Sequence, residues 1–378
     1  MKLDIWHNLA WSRYKGAVFT ALARQGAGTA VDVHVTQIAL TDSRRAALSD
    51  VAMERFDYPH EVLFRESYEE ISRLILYRRV LREIWRSNAD VTIIPGVDRP
   101  EYWLQALVLA IRGRNRAVFF DSTRYDRPQR PLRRLAKRLF FKLVPWTLSY
   151  GERSRAFAMS LGIRAERALV RPQAAYLPGG YDARHIPAQR KEHGDPGNRV
   201  FLYVGRLSPE KGIDTLIDAF SQYRSVDPQA QLRIVGSGPE EAALKALTAE
   251  RGVEGSVVFP GAMQDDALQK EYLRATALVL PSRSEPWGLV VNEALHHGCP
   301  VIVSDRCGCV PELVAGSPCG IVVPAGDASA LAKAMAEAAS AFADRSATAL
   351  RCLEKIAPYS PGAAAAAILA AARTISAD

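Results

Sequence analysis

The chain has 378 residues, 48% hydrophobic and 24% charged, which is ordinary globular usage. That excludes a disordered or collagen-like chain and leaves material for about two to three domains. The net charge of +8 is uneven: residues 1–198 carry 33 basic and 21 acidic side chains, residues 199–378 carry 16 and 20, so the front half is suited to meet nucleic acid, a membrane surface or a phosphorylated substrate.

The opening MKLDIWHN lacks the long apolar run of a secretion signal and reads as a first strand over 3–6. Helical spacing follows over 15–24, a strand over 31–36, a long amphipathic helix over 69–86, a strand over 91–94, a helix over 101–111 and a strand over 117–120. Residues 127–142 hold seven basic residues and no acid, with Leu132, Leu135, Leu139, Phe140 and Leu143 at helical spacing. This is an amphipathic helix with a cationic rim. Arg133, Arg134, Lys137 and Arg138 are either contacts to an anionic membrane interface or the solvated face of a packed helix. Residues 172–198 are rich in Pro and Gly and break the rhythm, so a first domain of 1–185 and a linker of 186–198 are expected.

A second alternation follows in a domain of 199–360. Strands are expected over 200–204, 232–235, 257–259, 277–280 and 301–304, with helices over 212–223, 240–250, 264–275, 289–297 and 328–341. The segment 361–378 carries an alanine-rich helix. Alternation of strand and helix implies α/β folding: two doubly wound parallel sheets covered on both faces. The five cysteines all lie after residue 298 and form no disulfide framework; Cys307 and Cys309 lack zinc-knuckle spacing, so a reducing compartment is expected. No run of 18 apolar residues occurs, so a soluble, cytoplasmic protein or one lying on a membrane face is expected.

In open parallel sheets, ligands sit beyond the carboxyl ends of the strands. There, Gly205 to Gly212 put Arg206 and Lys211 on one loop before a helix start, where free N–H groups and the helix dipole also attract an anion. A diphosphate suits them; two solvated surface cations are the plain alternative. Gly236-Ser237-Gly238-Pro239 makes a tight turn into the next helix. Further on, Glu285 lies in a loop, Gly288 permits close backbone approach, Leu289 opens a helix and Glu293 falls one turn inside it. Two such acceptors suit hydroxyl groups on either side of a diphosphate, or else a cap and a buried ion pair.

The ordered set Gly205-Arg206-Leu207, Glu210-Lys211-Gly212, Gly236-Ser237-Gly238-Pro239, Glu285 and Glu293, His297-Gly298-Cys299-Pro300 and Pro324-Ala325-Gly326-Asp327 resembles glycosyltransferase family 4 over about residues 199–335. Leu177 to Asp182 is similar to the segment closing the family's first domain. The resemblance implies the GT-B fold: two Rossmann-like domains facing across a cleft, with a last helix crossing back to the first. It implies a retaining transferase that moves a hexose-type sugar from a UDP- or GDP-sugar to a glycan or lipid-linked acceptor, as in polysaccharide or glycolipid synthesis. It implies catalytic Arg206, Lys211 and Glu285, and donor contacts at Gly16, Gly205, Gly236, Met263, Gly288, Leu289 and Glu293. No cofactor or metal is implied, since Arg and Lys can do a cation's work.

The first half departs from the family. Only Gly16 is well placed in the turn after the first strand, where its N–H would face the diphosphate. Trp11, Tyr14 and Lys15 suit an acceptor surface, with apolar packing the alternative for Trp11. Asp121 stands where members often carry a histidine, as a polar contact to the donor sugar or as a cap. His7, His60 and His185 are expected to be structural. Two other functions compete: a GT-B sugar-nucleotide epimerase, whose acid–base residues are not evident, and a basic nucleic-acid-binding protein, for which no motif is present.

Overall fold

The computed structural model describes residues 1–10, 12–42, 57–126, 131–194 and 199–378. They form two compact units. The first comprises Met1–Arg124, Pro128–Tyr176 and Tyr359–Asp378; the second comprises Tyr125–Arg127 and Leu177–Pro358.

Among the described residues, the first unit holds strands β1 (Lys2–Leu9), β2 (Asp32–Thr41), β3 (His60–Ser67), β4 (Val91–Ile94), β5 (Asn115–Phe120), β6 (Trp146–Ser149) and β7 (Ala168–Val170). They form a seven-stranded sheet in the order β3-β2-β1-β4-β5-β6-β7, parallel throughout, with Ile5 opposite Val35 and Ile93. Helices α1 (Arg13–Ala27), α2 (Arg73–Arg86), α3 (Pro100–Ile111), α4 (Pro131–Leu143) and α5 (Glu152–Ser160) cover it. Side chains alternate along each strand, so β1 feeds two cores. Leu3 and Ile5 pack with α1, and Trp6 packs with residues of α2, α3 and α4. Both faces are buried, which is why the inner strands read as continuous apolar runs. Edge strand β3 lacks such a run, being only half-buried, and the sequence pattern gave no sign of it. Helix α2 starts at Arg73 rather than 69, because Glu70 accepts from the Ser67 N–H in a turn before it.

The second unit opens with α6 (Ile186–His193), followed by β8 (Val200–Val204), α7 (Ile213–Arg224), β9 (Gln231–Val235), α8 (Glu241–Glu250), β10 (Val257–Gly261), α9 (Asp265–Arg274), β11 (Ala277–Leu280), α10 (Leu289–His296), β12 (Val301–Ser304), β13 (Gly320–Val323), α11 (Ala328–Ala341) and α12 (Arg345–Ile356). Its sheet is also parallel, in the order β10-β9-β8-β11-β12-β13. The alanine-rich tail is α13 (Pro361–Ala377), which belongs to the first unit. Its Ser360 cap accepts from the Ala363 N–H at 3.1 Å. Small side chains at Ala364, Ala365 and Ala372 let the helix lie close to α1, while Ile368 and Leu369 supply apolar burial.

Two boundaries differ from the sequence expectation. The first unit ends at Tyr176 rather than 185, and residues 186–193 are a helix of the second unit rather than a linker. The cause is Arg190, which is fully buried. Its Nη1 donates to the carbonyls of Tyr272 (2.9 Å), Leu273 (2.8 Å) and Ala275 (2.6 Å), where α9 ends. Helix ends leave carbonyls without partners, and this guanidinium supplies them. Arg190→Ala is therefore expected to lower unfolding stability by at least about 1.5–3 kcal/mol, the scale of one charged hydrogen bond, as read by denaturant melts. A linker arginine would cost nothing measurable.

Candidate functional site

The carboxyl edge of the second sheet is held in step by backbone contacts. The Gly205 N–H, after β8, donates to Val235 O (3.0 Å), and the Gly236 N–H, after β9, donates to Gly261 O (2.9 Å). A Cβ at Gly236 would stand 1.8 Å from Gly205 O, so only glycine allows these strand ends so close. The loop that follows is folded on itself. Tyr203 Oη donates to Arg206 O (2.9 Å), while Arg206 Nη2 (2.6 Å) and Ser208 Oγ (2.8 Å) both donate to Glu210 Oε1. Desolvation lifts the Glu210 carboxyl, but hydrogen bonds from its own backbone, Ser208 and Arg206 outweigh it and hold the pKa below the usual range.

A short 3₁₀ turn, Pro209–Lys211, aims Lys211 at the neighbouring loop. Its Nζ donates to Glu285 Oε2 at 2.5 Å, and the two side chains are only 18% and 14% exposed. Arg206 is more open, at 52%. The Glu285 loop is zipped to the next one: the Gly308 N–H donates to Glu285 O (2.8 Å) and the Cys309 N–H to Trp287 O (3.0 Å). Gly288 then turns the chain at φ 101°, a left-handed conformation that costs glycine least, and opens α10 at Leu289. Buried Trp287 donates to Asn292 Oδ1 (2.8 Å), fastening the loop to that helix.

Glu293 lies one turn inside α10. Its Oε2 accepts from Tyr272 Oη at 2.7 Å, and the Tyr272 ring stacks on His297, with centroids 5.3 Å apart and planes 12° apart. Burial pushes the Glu293 carboxyl up to about 7, against a smaller lowering by the tyrosine hydroxyl. Met263 stands half-buried just past β10.

The fold thus brings Arg206, Lys211 and Glu285 together on two adjacent loops, with Gly288 and Leu289 at the helix start beside them and Glu293 a turn deeper. Arg283 was not singled out in the sequence. It donates to Pro209 O (2.9 Å), Asp214 Oδ2 (2.7 Å) and Thr215 Oγ1 (3.0 Å), bracing the Arg206 loop. Its place in the loop after β11 was the only signal, because two of those partners are 74 and 69 residues away in sequence. Among the described residues, no group of three His, Cys, Asp or Glu side chains is placed to hold a metal ion.

At the carboxyl edge of the first sheet the arrangement differs from expectation. Trp11 lies outside the described residues. Tyr14 is half-buried. Lys15 is no surface contact but a buried amine, 3% exposed. It donates to Tyr150 Oη and lies 5.0 Å from the Phe119 ring centroid. Desolvation first, then the buried Arg171 guanidinium nearby, hold its pKa well below the usual lysine value. Gly16 does not offer a free N–H, since it donates to Ser12 O (3.0 Å) in the first turn of α1. Asp121, one residue past β5, is exposed at the surface, yet the groups crowded around it raise its carboxyl by desolvation and by the charge of Asp98, with Lys15 acting the other way. His7 pairs with Gln37 Oε1 (3.0 Å), and burial lowers its pKa to about 3, so it is neutral at pH 7.

Residues 185–346 match the family described as glycosyl transferases group 1. This stretch belongs to that family. The match covers α6, the Arg206 and Glu285 loops and Glu293. Relatives resemble the chain over limited stretches: an uncharacterized glycosyltransferase of Methanocaldococcus jannaschii is 42% identical over 106 residues, 28% of this chain and 27% of that protein. A GDP-mannose-dependent alpha-(1-6)-phosphatidylinositol monomannoside mannosyltransferase of Mycolicibacterium smegmatis is 34% identical over 182 residues, 44% of this chain and 47% of that protein. The chain therefore spans less than half the length of either relative. Over its whole length it resembles HepE of Anabaena, solved with UDP and glucose, with a TM-score of 0.72, 18% identity and 100% of both chains covered. The fold is GT-B, with two Rossmann-like parallel-sheet units.

Proposed function

We propose that the protein is a retaining glycosyltransferase that moves a hexose-type sugar from a UDP- or GDP-sugar to a glycan or lipid-linked acceptor. The observation that carries this is the Lys211–Glu285 pair beside Arg206, at the carboxyl edge of the second sheet and at the opening of α10. When the sugar C1–O bond breaks, the bonding electrons stay on the diphosphate, and negative charge accumulates on its outer phosphate. Lys211, Arg206 and the first N–H groups of α10 at Leu289 stabilise that charge where it develops. With a diphosphate present, the Lys211 amine shares itself between phosphate and Glu285, and Glu285 turns its remaining acceptor capacity to the sugar hydroxyls. Glu293 accepts from the ribose hydroxyls, and Met263 borders the base. The mechanism calls on no metal, because two side-chain cations can supply the positive charge that a metal would bring.

The acceptor falls to the first unit, with Tyr14 and Asp121 at its carboxyl edge. An excess of basic residues in the first 198 supports an acceptor carrying negative charge, such as a lipid-linked glycan intermediate met on the cytoplasmic side of a membrane. The Mycolicibacterium relative is named for GDP-mannose and for a phosphatidylinositol monomannoside, which supports a donor and an acceptor of this kind.

Thermal unfolding with UDP, GDP and ADP tests the donor assignment. A ligand present at about one hundred times its Kd and bound only by the folded chain adds about 2.7 kcal/mol. One of UDP and GDP is expected to raise the melting temperature and ADP is not. The matching nucleotide sugar is expected to release nucleotide diphosphate slowly, and faster once acceptor is added. No shift with any diphosphate would sink the reading.

A further inference from the structure

Helices α2, α3 and α4 lie side by side on one face of the first sheet, and all three contribute to one core. Leu76, Val80 and Ile84 of α2 and Phe140 and Phe141 of α4 point into it. The opposite faces are not polar. Of the 14 large hydrophobic residues exposed among the described residues, eight lie on these three helices. On α4, Leu132 is 81% exposed, with Leu135 and Leu139 beside it. At 3.6 residues per turn these three fall within an arc of about 60° on the side turned away from Phe140 and Phe141. On α2, Leu74, Ile75 and Trp85 are exposed opposite its buried stripe, and on α3 so are Leu107 and Ile111. Such a run of unpartnered apolar side chains calls for a cover.

The charge around them says what the cover is. Arg78, Arg82 and Arg86 share the outer face of α2, and Arg134, Arg138 and Lys142 flank the leucine stripe of α4. The one acid on α2, Glu83, lies 3.2 Å from Arg79 Nε, and α4 carries none. The Arg112 guanidinium lies 5.8 Å from the Trp85 ring centroid, where the ends of α2 and α3 meet. Lys137, expected from the sequence on this rim, turns inward instead: its Nζ donates to Ser122 Oγ (3.1 Å) and lies 5.3 Å from the Phe157 ring centroid. No helix among the described residues is long and apolar enough to cross a membrane.

We propose that the outer face of α2, α3 and α4 docks flat on an anionic lipid bilayer, with the leucines and Trp85 entering the boundary between headgroups and acyl chains and the arginines meeting lipid phosphates. Interfacial helices bind with this division, apolar on one side and cationic at the rim, seated about 5–10 Å into the lipid. The inference goes beyond sugar transfer and stands apart from it, since it invokes no residue of the Lys211 site.

Co-sedimentation of the full chain tests it, using vesicles of phosphatidylcholine alone and of an equal mixture of phosphatidylcholine and phosphatidylglycerol. Binding is expected only to the mixed vesicles and is expected to weaken as salt rises. The double variant Arg134→Glu with Arg138→Glu is expected to lower the partition constant at least about tenfold. The triple variant Leu132→Ser, Leu135→Ser, Leu139→Ser is expected to abolish binding. Both sets of side chains are exposed, and the bond from Arg134 Nη2 to Ser160 O (3.2 Å) lies in solvent, so both variants are expected to fold, with melting temperatures at most modestly below wild type. A control at Val226→Ser and Leu350→Ser, on the second unit, is expected to bind as wild type. Brominated lipid is expected to quench wild type more than Trp85→Phe. Equal binding to neutral vesicles, or charge reversal without effect, would overturn the proposal. So would a dimer in light scattering that the leucine variant dissolves, since the face would then belong to a second copy.

Discussion

Lys211→Ala is expected to cut kcat for sugar transfer by about 10²–10³-fold, or about 2.7–4 kcal/mol of barrier. The size follows from the setting of the amine. It is 18% exposed, and its carboxylate partner is 14% exposed, so water screens it poorly and it needs little reorganisation when charge develops on the leaving phosphate. Arg206→Ala is expected to cost less. That guanidinium is 52% exposed and shares its charge with Glu210 at 2.6 Å, so solvent already weakens it. Glu285→Gln is expected to act through Lys211 as well as on the sugar, because losing the carboxylate frees the amine from its fixed position. Lys211→Ala combined with Glu285→Gln should therefore be far from additive, with the double variant close to the worse single one. Initial rates of nucleotide diphosphate release read all four variants. A kcat for Lys211→Ala within about threefold of wild type would remove the amine from the mechanism.

The second large effect is a pH-dependent one at Glu293. The residue is half-buried, with its carboxylate end under Tyr272, and burial raises its folded pKa from 4.5 to about 7. Between those values the folded chain keeps a proton that the unfolded chain has released. The resulting stability is fully present below about pH 4.5 and is lost as pH rises through about 7, by roughly 3 kcal/mol in all. Glu293→Gln keeps the acceptor for Tyr272 but has no proton to lose. The stability of the variant relative to wild type is expected to climb by about that amount between pH 4.5 and pH 8, as read by urea melts at each pH. Nucleotide binding is expected to move the other way. In wild type it strengthens as pH rises through 7, when the ionised carboxylate becomes a stronger acceptor for ribose hydroxyls. The variant at pH 8 should bind more weakly by about the 1.5–3 kcal/mol of a charged hydrogen bond, with no such pH dependence. A stability difference flat across this range would mean that the carboxyl titrates as an ordinary surface glutamate.

Much of the second unit was legible because its information is local. A parallel strand buried on both faces has to be apolar along its length, so Val200–Val204, Ala277–Leu280 and Val301–Ser304 announce themselves, and the loops after them carry the unusual residues. Glycine at 288, with its left-handed φ of 101°, is likewise a local statement about backbone. The first unit was harder to read. Its edge strand β3 is only half-buried, so no apolar run marks it. Arg190 looked like a linker residue because charge alone says nothing about depth; only the three carbonyls of and beyond α9 explain why a guanidinium is buried there.

Sequence alone determined which residue types stand at the strand ends and in what order: two cations before α7, and two carboxylates around the opening of α10. Tertiary structure decided how they are partnered. It set Lys211 against Glu285 rather than leaving both cations in solvent, gave Glu293 the hydroxyl of Tyr272 and the burial that raises its pKa, drew Lys15 and Lys137 inward, and left Leu132, Leu135 and Leu139 facing out. The physical reason is the range of the forces involved. Backbone preference and apolar periodicity act over a few neighbouring residues, whereas desolvation and ion pairing depend on atoms that the chain brings together from tens of residues apart.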